Sequence, residues 1–327
     1  MNLPVTIVML TVIALLAGCA QQARVVEPQP EVVTSPLNVR ATAWDERRLD
    51  RLNAAMPELL RVHHVAGATI ALTGDGKAQW TGRFGTLEHT EVPLRLTGLR
   101  EPVLAMLTLT LSREYGWSLR APLADIAPSA ALTEHQATLT PRELLSHTAG
   151  LGAAETARRG VWQESDDGIA LLARALEAAT GQPLSTLATQ RILAPAGMTA
   201  SRFDGTGTLI TTTADYARFL QWLLSPARGD VTLATLLGVQ TTVSQSLGLY
   251  WGLGWGLERR GEGGLAAFHW GGDPRFSRFM LLDPVRGRAL VIVTDSDKGL
   301  GLITDVVAIL DEEPHTAFDF ERNPPTR

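Results

Sequence analysis

Residues 138–151 read TLTPRELLSHTAGL, and the fold turns on this stretch. It holds a Ser146-His147-Thr148 run that looks like catalytic hardware. Two further stretches go with it: residues 177–198, EAATGQPLSTLATQRILAPAGM, and residues 269–284, HWGGDPRFSRFMLLDP. They lie in a chain of 327 residues, 45% hydrophobic and 19% charged. That is enough to bury a sizeable core, as one large domain or two. The formal net charge of −5 leaves no basic footprint for nucleic acid. Lys77 and Lys298 are the only lysines among the 29 Lys and Arg, which we read as base-composition bias. Phosphate loops, G-x-S-x-G elbows, H-E-x-x-H and C-x-x-C are all absent.

The 138–151 stretch strongly resembles the segment TIRDLLTHTSGL of the serine β-lactamase-related family, which includes class C β-lactamases, DD-peptidases and esterase relatives. Residues 177–198 are similar to that family's EKVTGQPYEEFVRERILEPLGM, and residues 269–284 to its HTGGTPGFSSLLLLDP. The resemblance runs from about Asp45 to Leu310. It implies an α/β (α+β) fold of the β-lactamase/transpeptidase type: an antiparallel sheet flanked by helices, plus an all-helical lobe, with the site at their junction. No cofactor and no metal is implied.

Such enzymes are marked by S-x-x-K, Y-x-N and K-T-G or H-x-G. Ser and Lys one helical turn apart share a face, so the amine can take the hydroxyl proton. Neither lysine here has Ser three residues before it, so S-x-x-K is absent everywhere. Residues 94–105, LRLTGLREPVLA, stand where the family has FRIGSVTKPFTA. This puts Gly98 at the serine and Glu101 at the lysine. A register one residue back gives Thr97 and Arg100, and a guanidinium that stays protonated is no base. Counting back from Glu177 and Gly181, the Tyr and Asn of Y-x-N fall on Glu164 and Asp166.

The third piece survives as His269-Trp270-Gly271-Gly272, on a strand edge where glycine lets a ligand approach the backbone. His269, Gly271, Gly272 and Arg275 form the candidate ligand-binding set. His269 and the glycines would equally persist for the strand and its turn alone. Arg275 is expected to reach into the cleft and neutralise Glu101, Glu164 or Asp166. The connection between Leu151 and Glu164 is short for the family, which implies a more open cleft. In the family the 146–148 run is structural. Arg95, Arg100 and Arg275 would oppose a cation held by Glu101, Glu164, Asp166 and His269, so no metal is expected.

The remaining chain reads coherently. Leu49, Leu52, Met56, Leu59 and Leu60 recur at helical spacing, residues 67–84 form a hairpin, and about 101–225 is mostly helical. A helix after Asp166 buries Ile169, Leu172, Leu176 and Ala179 and stops at Gly181. Residues 209–224 look like a helix of the family. Strands are predicted over 249–257, 264–270, 277–282 and 290–295, with a closing helix over 300–310. Residues 3–17 form an apolar run with no Lys or Arg before it, ending in Leu16-Ala17-Gly18-Cys19. That run resembles a bacterial lipobox, with Cys19, the single cysteine, carrying lipid. A plain signal peptide or anchor with an incidental cysteine is the other reading. Expected boundaries are 1–18 signal peptide, 19–44 tether, 45–312 domain and 313–327 tail. Sorting rules favour the outer membrane, facing the periplasm.

Three roles are open at this point. The first is a catalytically impaired, lipid-anchored protein that binds a cell-wall peptide or an envelope protein. The second is a hydrolase with a rearranged site, using Thr97 as nucleophile and Glu164 or His269 as base. The third is an assembly role in which the cleft is irrelevant.

Overall fold

Helix α1, Glu46–Val62, starts where the Asp45 side chain accepts from the backbone N–H of Arg47, and it buries Leu49, Leu52 and Met56 on one face. The structure, a computed structural model, describes residues 44–322 apart from 75–76, 88–93, 97, 153–157, 226–229, 262–263, 273 and 312. Strands β1, Gly67–Gly74, and β2, Lys77–Gly85, form the antiparallel hairpin expected from the sequence. Short β3, Leu94–Leu96, leads into α2, Arg100–Tyr115, a helix buried on nearly every side.

The helical lobe continues with α3, Leu123–Ile126, α4, Glu134–Thr138, and α5, Pro141–Leu145. The last two are each started by a reciprocal capping box, Thr133 with Gln136 and Thr140 with Glu143. Helix α6, Asp166–Thr180, is capped by the Ser165 hydroxyl, which accepts from Gly168 N–H, and stops at Gly181. Then come α7, Leu184–Ala188, β4, Arg202–Phe203, β5, Leu209–Thr211, α8, Thr213–Leu224, and α9, Asp230–Leu237.

The chain returns to the sheet with β6, Thr241–Ser244, β7, Leu249–Trp251, β8, Gly256–Arg259, β9, Leu265–Gly272, β10, Ser277–Asp283, and β11, Arg288–Thr294. Helices α10, Leu300–Leu310, and α11, Thr316–Arg322, follow. The large sheet runs β2-β1-β11-β10-β9-β8-β7-β6, and every pairing in it is antiparallel. The small β3, β5 and β4 form a separate sheet.

Side-chain alternation along the strands divides the core in two. Ala267, Met280 and Leu282 join α2, α6 and α8 in one core, while Ala266, Phe268, Phe279 and Leu281 join α1, α10 and α11 in the other. On β9 this sends His269 toward the helical lobe and Trp270 to the opposite layer. The strand thus carries a polar group to one face and an aromatic to the other.

The elements differ from the sequence reading in five places. Residues 249–257 are two strands broken by a turn at 252–255, and 241–244 is a further strand. Residues 209–211 are a strand rather than the first turn of a helix, because Thr212 caps α8 by accepting from Asp215 N–H. The segment read as a tail contains α11, whose Ala317, Phe318 and Phe320 are buried. Trp44, assigned to the tether, is 2% exposed and donates its indole N–H to the Thr73 carbonyl. Among the described residues no helix is long and apolar enough to cross a membrane.

Candidate active site

The start of α2 meets the end of β9. Gly98 lies in the turn just before α2, and its carbonyl accepts from Glu101 N–H at 3.2 Å. Leu99 follows, fully buried, and its carbonyl accepts from the Tyr216 hydroxyl of α8 at 3.0 Å. Glu101 is in the first turn of α2 and only 2% exposed. Its Oε2 faces two imidazoles: His147 Nε2 at 2.9 Å and His269 Nε2 at 3.2 Å. Arg100, itself only 8% exposed, instead meets the exposed Asp166 at 2.7 Å.

The hydrogen bonds place the protons. His147 Nδ1 accepts from Ser165 N–H at 3.2 Å, so that ring carries its proton on Nε2 and donates it to Glu101. His269 Nδ1 donates to the Trp270 carbonyl at 2.7 Å and its Nε2 donates to Glu101, so that ring is an imidazolium. Burial pulls the His269 pKa down, but the Glu101 hydrogen bond and charge, the Trp270 carbonyl and the charge of Glu164 together raise it. Burial pushes the Glu101 carboxyl up, and its contacts with His147 and His269 hold it well below the ordinary carboxylate range. Burial, then the Glu101 charge, pushes the Tyr216 phenol up. The result is a buried anion–cation pair with a neutral imidazole completing the clasp.

His147 was read as structural, and the structure gives it a larger part. Its backbone is left-handed at φ 55°, a conformation that costs a residue with a Cβ about 1–3 kcal/mol. Both ring nitrogens are gripped, and Trp251 and Trp162 pack against the ring at centroid distances of 5.1 and 6.5 Å. Ser146 and Thr148, by contrast, bond each other at 2.8 Å within the turn. With its proton on Nε2, His147 has no lone pair there for a metal. Among the described residues no group of His, Cys, Asp and Glu is arranged to hold one.

At Gly98 the backbone leaves no room for a side chain. A methyl group added at Gly98 would lie 2.5 Å from the Trp270 carbonyl oxygen and 3.1 Å from the Gly271 Cα. A methyl added at Gly271 would lie 3.3 Å from the Gly98 Cα. Gly271 therefore lets β9 approach the α2 turn closely. Residues 153–157 of the short 151–164 connection, from which a more open cleft is expected, lie outside the described residues.

The other candidates sit around this seam. Glu164, Asp166 and Gly272 are exposed. Arg275 does not reach Glu101, Glu164 or Asp166. It is exposed, 3.5 Å from Asp295 and over the Phe276 ring, because the turn after β9 carries it outward and the histidines already balance Glu101. Thr97 and Cys19 lie outside the described residues. Asp166 has a side chain 79% exposed, so its ion pair with Arg100 is screened. Asp166→Asn is expected to change the unfolding free energy by less than about 1 kcal/mol in urea titration.

Taken together, the antiparallel sheet, the helical lobe and the H-x-G strand meeting the start of α2 define a β-lactamase/transpeptidase-like fold. The β-lactamase family model matches residues 49–309, and the chain belongs to that family. Solved structures agree in fold. The D-alanine carboxypeptidase AmpC from Burkholderia cenocepacia superposes with a TM-score of 0.68 at 15% identity, covering 81% of this chain and 98% of that one. A D-stereospecific amidohydrolase from Streptomyces sp. gives 0.66 at 18% identity, covering 76% and 97%. A class C β-lactamase from Rhodobacter sphaeroides gives 0.64 at 15%, covering 79% and 99%. A search of proteins of curated function returns no match.

Proposed function

We propose that this chain is a member of the β-lactamase family that does not acylate and works by binding in the bacterial cell envelope. One observation carries the reading. Gly98 abuts the Trp270 carbonyl where the family serine would stand, while Glu101, at the lysine, is clasped by His147 and His269. Covalent catalysis needs a nucleophile and a base within hydrogen-bond reach. Here the first position has no side chain and the second is an anion whose Oε2 already accepts two bonds. His269 has both nitrogens engaged, so it is no base either.

With the inner seat filled, contact with a cell-wall peptide or an envelope protein falls to the exposed rim, which includes Glu164, Gly272 and Arg275. Lipid on Cys19 would hold the chain at a membrane, consistent with the apolar run and the Leu16-Ala17-Gly18-Cys19 sequence. The outer membrane, facing the periplasm, is the location this reading favours.

Intact-protein mass spectrometry tests the central claim. The protein is incubated separately with a fluorophosphonate probe and with a penicillin. The expected result is no added mass with either reagent, on protein shown to be folded by circular dichroism. A stoichiometric adduct mapped to one residue would overturn the reading, whichever residue carried it.

A further inference from the structure

The C-terminal helix ties a second buried charge cluster to the back of the site. On α11, Phe318 packs on Phe279 of β10, with ring centroids 4.7 Å apart. Phe320 stacks on Trp270 at 6.0 Å and meets Trp162 edge-on at 5.8 Å. Trp270 is the residue whose carbonyl abuts the Gly98 position and accepts from His269. The helix therefore presses on the outer face of the same β9 residue whose backbone seals the inner face.

What fastens α11 lies just before it. His315 is 8% exposed and sits between two carboxylates. Its Nδ1 bonds Glu258 of β8, and its Nε2 lies 3.4 Å from Asp311 at the end of α10. Glu258 also accepts from Ala317 N–H in the first turn of α11 at 3.3 Å. Arg260, just after β8, spans the ring, 3.0 Å from Nδ1 and 3.2 Å from Nε2, and bonds Asp311 at 2.9 Å. Arg288 of β11 meets Asp311 at 3.0 Å, and Arg286, beside it, joins Asp283 and Glu313. Arg260 meets Glu313 at 3.1 Å. Four carboxylates thus face three guanidiniums, and the imidazolium of His315 brings the cluster to neutrality.

We propose that α11 is a strap fastened by protonated His315, and that loss of that proton frees the helix and uncovers the aromatic surface of Trp162 and Trp270 behind the site. Burial and the Arg260 charge oppose the imidazolium, but its bonds to Asp311 and Glu258 outweigh them, so its pKa is raised. A group whose pKa is raised on folding gives its full stabilisation below the unfolded value, about 6.5, and loses it as pH climbs through the folded one. The strap is therefore closed in mild acid and loosens toward alkaline pH. Deprotonation leaves one carboxylate unbalanced in a buried cluster, which is why a local opening is the outcome. This device does not depend on whether the seat can acylate.

Hydrogen–deuterium exchange of the full chain, corrected for the intrinsic pH dependence of exchange, tests it. Between about pH 6 and about pH 9, protection over residues 316–322 is expected to fall about tenfold, the size of one charge-assisted hydrogen bond. Residues 300–310 of α10 should keep their protection. His315→Gln should show at about pH 6 the low protection of the unaltered protein at about pH 9. A flat profile over 316–322 in the unaltered protein would overturn the proposal, as would an equal loss over α10. The unaltered profile decides the matter even if the variant does not fold.

Discussion

Glu101→Lys is expected to cost about 3–5 kcal/mol of unfolding free energy, the penalty for leaving a buried charge uncompensated. Glu101 is 2% exposed, and its Oε2 is the shared acceptor of His147 and His269. A lysine there would set an ammonium against the His269 imidazolium, and the His147 proton on Nε2 would point at it as well. The ammonium could be relieved only by His269 giving up the Nε2 proton that Glu101 holds on it, because His147 Nδ1 is taken by Ser165 N–H and His269 Nδ1 faces the Trp270 carbonyl. Glu101→Gln should cost less, about 1–3 kcal/mol, since its carbonyl can still accept one bond while His269 loses its counter-charge. Urea unfolding of the two variants at neutral pH gives the comparison. A loss under about 1 kcal/mol for the lysine variant would mean that the carboxylate does not carry the clasp.

The same residues show what the sequence could and could not disclose. Three stretches, 138–151, 177–198 and 269–284, are long enough to declare the family, and the lack of S-x-x-K follows from two misplaced lysines. The clasp of Glu101 by His147 and His269 was not legible, because it joins positions 46 and 168 residues apart in the chain. His147 occurs in a segment that reads the same whether its ring merely packs or also donates to Glu101. Arg275 misled because a place just beyond the H-x-G-G motif does not say which way the side chain turns. The turn after β9 takes it to Asp295 instead. Helix α11 escaped notice because a seven-residue helix carries too few apolar positions to show a 3.6 period. Its role is set by what Phe318 and Phe320 meet across the fold.

Gly98→Ser should cost stability, and for a steric reason that precedes any question of pKa. The new Cβ would meet a backbone carbonyl oxygen at 2.5 Å, and neither partner is the free end of a flexible side chain. Trp270 is fixed on one side by its place opposite Phe279 in the β9–β10 ladder and on the other by Phe320. Gly98 is fixed by the bond from Glu101 N–H to its carbonyl. Forcing extra volume into such a contact costs about 1–3 kcal/mol. Gly98→Ala carries the same Cβ without the hydroxyl, so the two variants should lose the same stability in urea, and neither should gain mass from penicillin. Equal losses would assign the cost to the Cβ contact. A covalent penicillin adduct on Gly98→Ser would mean that β9 and the α2 turn part readily and that a base stands within reach, which the clasped Glu101 and His269 forbid. The glycine and the glutamate thus meet neighbouring residues of one strand: Gly98 packs against the Trp270 carbonyl, and Glu101 grips His269 beside it on β9.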